Sequence, residues 1–106
     1  MFVDKKSIEL GHLYKVTLPN FLVCVVYKPY IYVNKGTVDV YGSGCLTQPT
    51  HLADMTLEQE NIAVDGFDTF DCIPEYICVK QNTGETTEIV VAGLKVVDLG
   101  VLGEDV

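Results

Sequence analysis

Residues 75–99, EYICVKQNTGETTEIVVAGLKVVDL, decide the fold class. Between Glu75 and Lys80, Ile77 and Val79 flank Cys78 in a run of strand length with no helical period. Gln81 to Thr87 is a polar loop, with Gly84 available for a left-handed backbone position. Glu88-Ile-Val-Val-Ala92 reads as a strand returning antiparallel. Gly93 marks a bulge or bend, because unbroken alternation would put Lys95 on the face of Ile89 and Val91. Leu94 to Leu99 continues as the last strand and leads into a short acidic tail.

Upstream the same style recurs. Phe21 to Tyr27 is apolar on both alternating sets, as in a strand buried on both faces. Pro29 removes a ladder donor, so Tyr30-Ile-Tyr-Val33 is expected nearer a sheet edge. Asn34-Lys35-Gly36 has turn chemistry. Thr37 to Tyr41 alternates, with Val38 and Val40 inward, and Gly42-Ser43-Gly44 ends it. His51 to Asn61 carries two signals. Thr56-x-x-Gln59 resembles a capping box, while Met55 and Leu57 alternate like a strand, and the reading adopted is one short helical turn. With at least six strands and regular turns, the fold class is all-β: an antiparallel β-sandwich or jelly roll with at most one short helical turn.

The chain has 106 residues, 48% of them hydrophobic, which suits one domain with a substantial core. The expected organisation is a single β-sandwich domain over 1–106, with an N-terminal arm at 1–7 and the acidic tail at 101–106. Met1 to Lys6 is not followed by the apolar stretch of a secretory signal, and Phe21 to Tyr27 is too short to cross a bilayer. The expectation is therefore a soluble chain made in the cytoplasm, with no membrane partner. Of the four cysteines, Cys24 and Cys78 sit in strand-like runs, where free cysteine behaves as a small buried hydrophobe, so Cys24, Cys45, Cys72 and Cys78 are expected to be reduced.

Charge is strongly segregated. Five of seven lysines (Lys5, Lys6, Lys15, Lys28, Lys35) fall in the first 35 residues, and there is no arginine. Residues 36–79 hold no base and eight acids: Asp39, Asp54, Glu58, Glu60, Asp65, Asp68, Asp71 and Glu75. A net charge of −8 repels phosphate, which excludes nucleic acid as a partner. The split reads as two faces of the sandwich, one mildly basic and one strongly acidic, suited to orienting a neighbour.

The chemistry-bearing patterns are weak. Asp65, Asp68 and Asp71 could feed a calcium loop, but steps of three do not match the EF-hand and would send neighbouring acids to opposite faces of a strand. His12 and His51 are far apart and come with no zinc-ligand spacing. Cys45 and Cys72 lie in acidic surroundings, which raise a thiol's pKa and argue against a nucleophile. No motif assigns a catalytic residue, a metal ligand or a cofactor. Tyr30 and Tyr32 share a strand face and offer the best case for a sugar platform. The alternative function is accordingly a carbohydrate-binding module, calcium-dependent through the three aspartates.

Thr37 to Gly44 (TVDVYGSG), Ile73-Pro-Glu-Tyr-Ile-Cys-Val-Lys80, and the stretch through Gly84 to Gly93 and Asp98-Leu-Gly100 resemble the small β-sandwich proteins of tailed-phage virions. Such proteins decorate capsids or build parts of tails and fibres. The likeness spans about half the chain and lies in strand-and-turn style, so it transfers no functional residue. It implies a non-enzymatic structural protein of the virion. Such a protein binds capsid or tail proteins and copies of itself as a homo-oligomer, without a cofactor. Under that reading Met1, Phe2, Val3, Lys5, Lys6, Tyr30 and Tyr32 are the candidate interface residues.

Overall fold

A computed structural model describes residues 5–17, 30–44, 47–63, 75–93 and 95–103. These form β1 (Lys5–Ile8), β2 (His12–Thr17), β3 (Tyr30–Val33), β4 (Thr37–Ser43), a 3-10 turn (Leu52–Asp54), β5 (Thr56–Ala63), β6 (Tyr76–Thr83), β7 (Ile89–Ala92) and β8 (Lys95–Val101). The strands make a three-stranded sheet, β1-β7-β3, and a five-stranded sheet, β5-β4-β6-β2-β8. Every ladder between these strands is antiparallel, and the molecule is an all-β sandwich. The expected Phe21–Tyr27 strand, Met1 to Val3, and Asp65, Asp68 and Asp71 lie outside the described residues.

The core follows from alternation. Val38 and Val40 of β4, Ile77 and Val79 of β6, Ile31 and Val33 of β3, and Val91 of β7 are fully buried in one layer. Residues of the opposite parity on the large sheet, Leu13, Tyr76 and Cys78, are buried too. Met55, Leu52 and Leu102 cover them, packing on the outer face of that sheet. This second layer explains why residues 76–79 are apolar without a break: β6 lies between β4 and β2 with both faces covered. Cys78 is fully buried in this layer.

One expectation is corrected. β7 does not return alongside β6; it pairs with β1 and β3 in the other sheet. The polar loop is therefore a crossing between layers. The bend at Gly93 is the next crossing, because β8 rejoins the large sheet beside β2. At the β6–β7 crossing the 34–36 turn locks onto the 84–88 loop. Asn34 Oδ1 accepts from the backbone N–H groups of Thr87 (3.2 Å) and Glu88 (3.1 Å), and Thr86 Oγ1 donates to Lys35 O at 2.6 Å. Gly36 has φ +71°, and a Cβ there would meet Thr83 O at 2.5 Å, so only glycine fits.

The 51–61 segment is also resolved. The helical turn exists but covers only Leu52–Asp54, and Thr56 onward is strand. Asp54 Oδ2, not the expected Thr56/Gln59 pair, does the capping: it accepts from the backbone N–H groups of Thr50 (3.3 Å) and His51 (3.2 Å). Those bonds hold the Asp54 carboxyl below its ordinary range. Beyond β8, Leu102 is buried, and Gly103 pairs with the Thr50–Leu52 backbone through bonds of 3.2 and 3.0 Å.

Candidate functional site

β1 is an edge of the small sheet and β8 ends the large one, and the two meet along one side of the sandwich. Lys6 Nζ donates to Val96 O at 3.1 Å and ties the layers together there. At the end of this seam the chain crosses from β1 to β2 through Glu9 to Gly11, and the crossing brings three titratable side chains together. His12 Nε2 lies 3.1 Å from Glu9 Oε2, and His12 Nδ1 lies 3.0 Å from Asp98 Oδ2 and 3.1 Å from Oδ1.

The scaffold around these groups is well defined. His12 stacks on Tyr14, with ring centroids 6.4 Å apart. The buried Tyr14 hydroxyl accepts the Glu9 backbone N–H at 2.8 Å and so anchors the crossing. Burial pushes the Tyr14 pKa above its ordinary value. Gly100 N–H donates to Asp98 Oδ1 at 2.7 Å. That bond first, and the His12 bond second, hold the Asp98 carboxyl below its ordinary range. A bulge in β8 sets this geometry. Tyr14 pairs with Asp98 and His12 with Val101, so β8 has one extra residue opposite Leu13. Gly100, with φ +95°, takes the left-handed position the bulge needs.

The same bulge shapes an apolar surface. Val97 pairs with Lys15 and so lies on the outer face of the large sheet, whereas Val101 pairs with His12 and faces the other way. Val97 is 53% exposed, Val101 78% and Leu99 39%. At the far edge of that sheet Leu57 is exposed as well, and the ladder pairs run Leu57–Tyr41–Cys78–Leu13 across the outer face. This face is thus apolar from β5 to β2, covered at its centre and open at both margins.

Of the residues singled out from sequence, Lys5, Lys6, Tyr30 and Tyr32 all lie in the three-stranded sheet, where Lys5 and Tyr30 flank Ala92 of β7 in register. Lys6 also serves the seam. Tyr30 and Tyr32 occupy alternate positions of β3, and Tyr32 is half-buried. Among the described residues the charge division is not complete. Lys15 Nζ bonds Glu75 Oε2 at 2.8 Å and lies 4.7 Å from the centroid of the Tyr76 ring, so base and acid meet on one face. Asp39 is occupied as well, accepting from Asn61 N (3.2 Å) and Asn82 Nδ2 (2.8 Å).

A cleft lined by Ser43, Thr47, Gln48, Pro49, Thr50 and Asp54 has one titratable group among the described residues, Asp54, which is committed to the cap. The Glu9–His12–Asp98 group had no complete local signal. Glu9 and His12 are three residues apart, but Asp98 lies 86 residues from His12, and only the β2–β8 ladder joins them. No family model, no curated protein and no solved structure matches the chain.

Proposed function

We propose that this chain is a non-enzymatic structural protein of a phage virion. It binds capsid or tail proteins and copies of itself as a decoration or accessory subunit. The observation that carries the assembly reading is the exposed Val97, Leu99 and Val101 on β8. Apolar side chains exposed on both faces of a terminal strand are a costly surface to leave in water, at about 25 cal/mol per Å² of apolar area. Covering them with a second protein recovers that term.

The virion assignment is supported by the strand-and-turn resemblance of residues 37–44 and 73–100. The engaged charges fit a contact made by shape and apolar area, with charge acting at its rim. Native mass spectrometry and sedimentation of the whole chain, with incubation on phage shells lacking it, test the reading. The expected result is an oligomer or shell-bound species that a Val97→Lys/Leu99→Lys double variant loses while keeping its fold. A monomer at every salt concentration, with no affinity for shell or tail, would overturn it.

A further inference from the structure

The geometry points to a binding site for a borderline divalent transition cation, Zn²⁺ or Co²⁺, held by His12 Nε2 and the Glu9 carboxylate. The inference is independent of assembly. A neutral imidazole has one N–H and one lone pair. We assign the N–H to Asp98, because both of its oxygens lie within 3.1 Å of Nδ1 and the Gly100 amide fixes the carboxylate in place. That tautomer turns the Nε2 lone pair toward Glu9 Oε2, 3.1 Å away. Two acceptors then face one another, an arrangement that requires a positive species between them.

A cation meets that requirement with ordinary geometry. With zinc–ligand bonds of about 2.0–2.1 Å, neighbouring ligands of a tetrahedron lie about 3.3 Å apart, close to the observed spacing. A carboxylate on the far nitrogen of a ligating histidine is the usual outer support of such a site: it selects the tautomer and raises the basicity of the ring. Asp98 occupies that place, Tyr14 stacking sets the ring plane, and the Tyr14 hydroxyl anchors the Glu9 backbone. Imidazole nitrogen with one carboxylate favours zinc-like ions over calcium or magnesium, which prefer all-oxygen shells. The Glu9 side chain is 72% exposed, so an ion reaches the site from solvent with water completing its coordination.

The alternative occupant is a proton, which makes His12 an imidazolium bridging two carboxylates. Ring-nitrogen NMR of the ¹⁵N-labelled full chain at pH 7.5, titrated with ZnCl₂, separates the two. Because the readout is the His12 ring, zinc captured by thiols elsewhere does not mimic the result. The expected outcome is a zinc-dependent shift of His12 Nε2 with the Nδ1 proton retained, unchanged in a His51→Gln variant, which also assigns the signal. Glu9→Gln weakens zinc binding at His12 at least tenfold, and Asp98→Asn weakens it by about 10- to 100-fold. A His12 ring that is unmoved by one equivalent of zinc overturns the assignment, as does an affinity unaffected by Glu9→Gln.

Discussion

Tyr14 combines a core position with a polar duty. Its ring is buried among the inter-sheet residues while its hydroxyl satisfies the Glu9 amide where the chain changes sheet. Tyr14→Phe keeps the packing and strands that amide, so it is expected to lower unfolding free energy by about 1 kcal/mol in urea titration. The hydroxyl also gives the fold an alkaline limit. Its pKa is raised above the ordinary 10.0 by burial, so its contribution is complete below pH 10 and is lost as pH rises through the folded-state value. Urea midpoints measured from pH 8 to 11.5 are expected to fall less steeply for Tyr14→Phe than for the parent. Asp39 has a comparable role at the other end of the large sheet. Asn61, at φ +59°, and Glu60 both oppose Asp39 in a bulge of β5, and the carboxylate accepts the Asn61 amide. Asp39→Ala is expected to cost about 1–2 kcal/mol, and Asp39→Asn less, because the amide oxygen still accepts.

At the scale of elements, the fold separates strands held by packing from strands held at a margin. β6 is the central case: Ile77 is fully buried between the sheets and Cys78 fully buried on the outer face. Ile77→Ala is expected to cost about 2–5 kcal/mol, because the surrounding strands cannot collapse into the space. Val97 of β8 is the contrasting case. Val97→Lys is expected to change stability by no more than about 0.5 kcal/mol while weakening association in sedimentation. The strands themselves were legible from alternation: β3 spans Tyr30–Val33 as read, Val38 and Val40 point inward, and Gly36 and Gly84 take positive φ at their turns. Their assignment to sheets was not. A seven-residue polar loop has the same composition whether it closes a hairpin or crosses between layers, so β7's partners were hidden. The bulge opposite Leu13 and the meeting of His12 with Asp98 were hidden for a related reason, since both are products of a ladder between distant strands. The helical turn was legible as a turn but misplaced by a few residues. Its true cap, Asp54, sits four residues from Thr50 in a segment whose Ser/Thr and acid spacing admits more than one register.

For the molecule as a whole, the question is whether charge stabilises or opposes the compact state. Net charge is −8, so long-range self-repulsion favours unfolding. Against it stand local contacts: the Lys15–Glu75 pair, which as a surface ion pair contributes little, and the hydrogen bonds to Asp54 and Asp98. Salt separates the two. A Debye length of about 10 Å at 0.1 M removes repulsion between distant acids while leaving short backbone-to-carboxylate bonds nearly intact. Melting temperature is therefore expected to rise as NaCl increases from 20 to 200 mM, and a fall would mean that ion pairs outweigh the net repulsion. Acid acts in the opposite direction. Asp54 and Asp98 have folded-state pKa values lowered from 3.8, so what they contribute is fully present above pH 4 and disappears as pH falls through those values. Protonating the remaining acids relieves repulsion over the same range, which blunts the loss without reversing it, because repulsion is spread across the surface and the two carboxylates each hold a specific backbone turn. The urea midpoint is then expected to stay level from pH 7 to 5 and drop below pH 4. An Asp54→Asn/Asp98→Asn variant, weaker at neutral pH, should show a shallower acid limb, and an unchanged limb would place the acid sensitivity in other carboxylates.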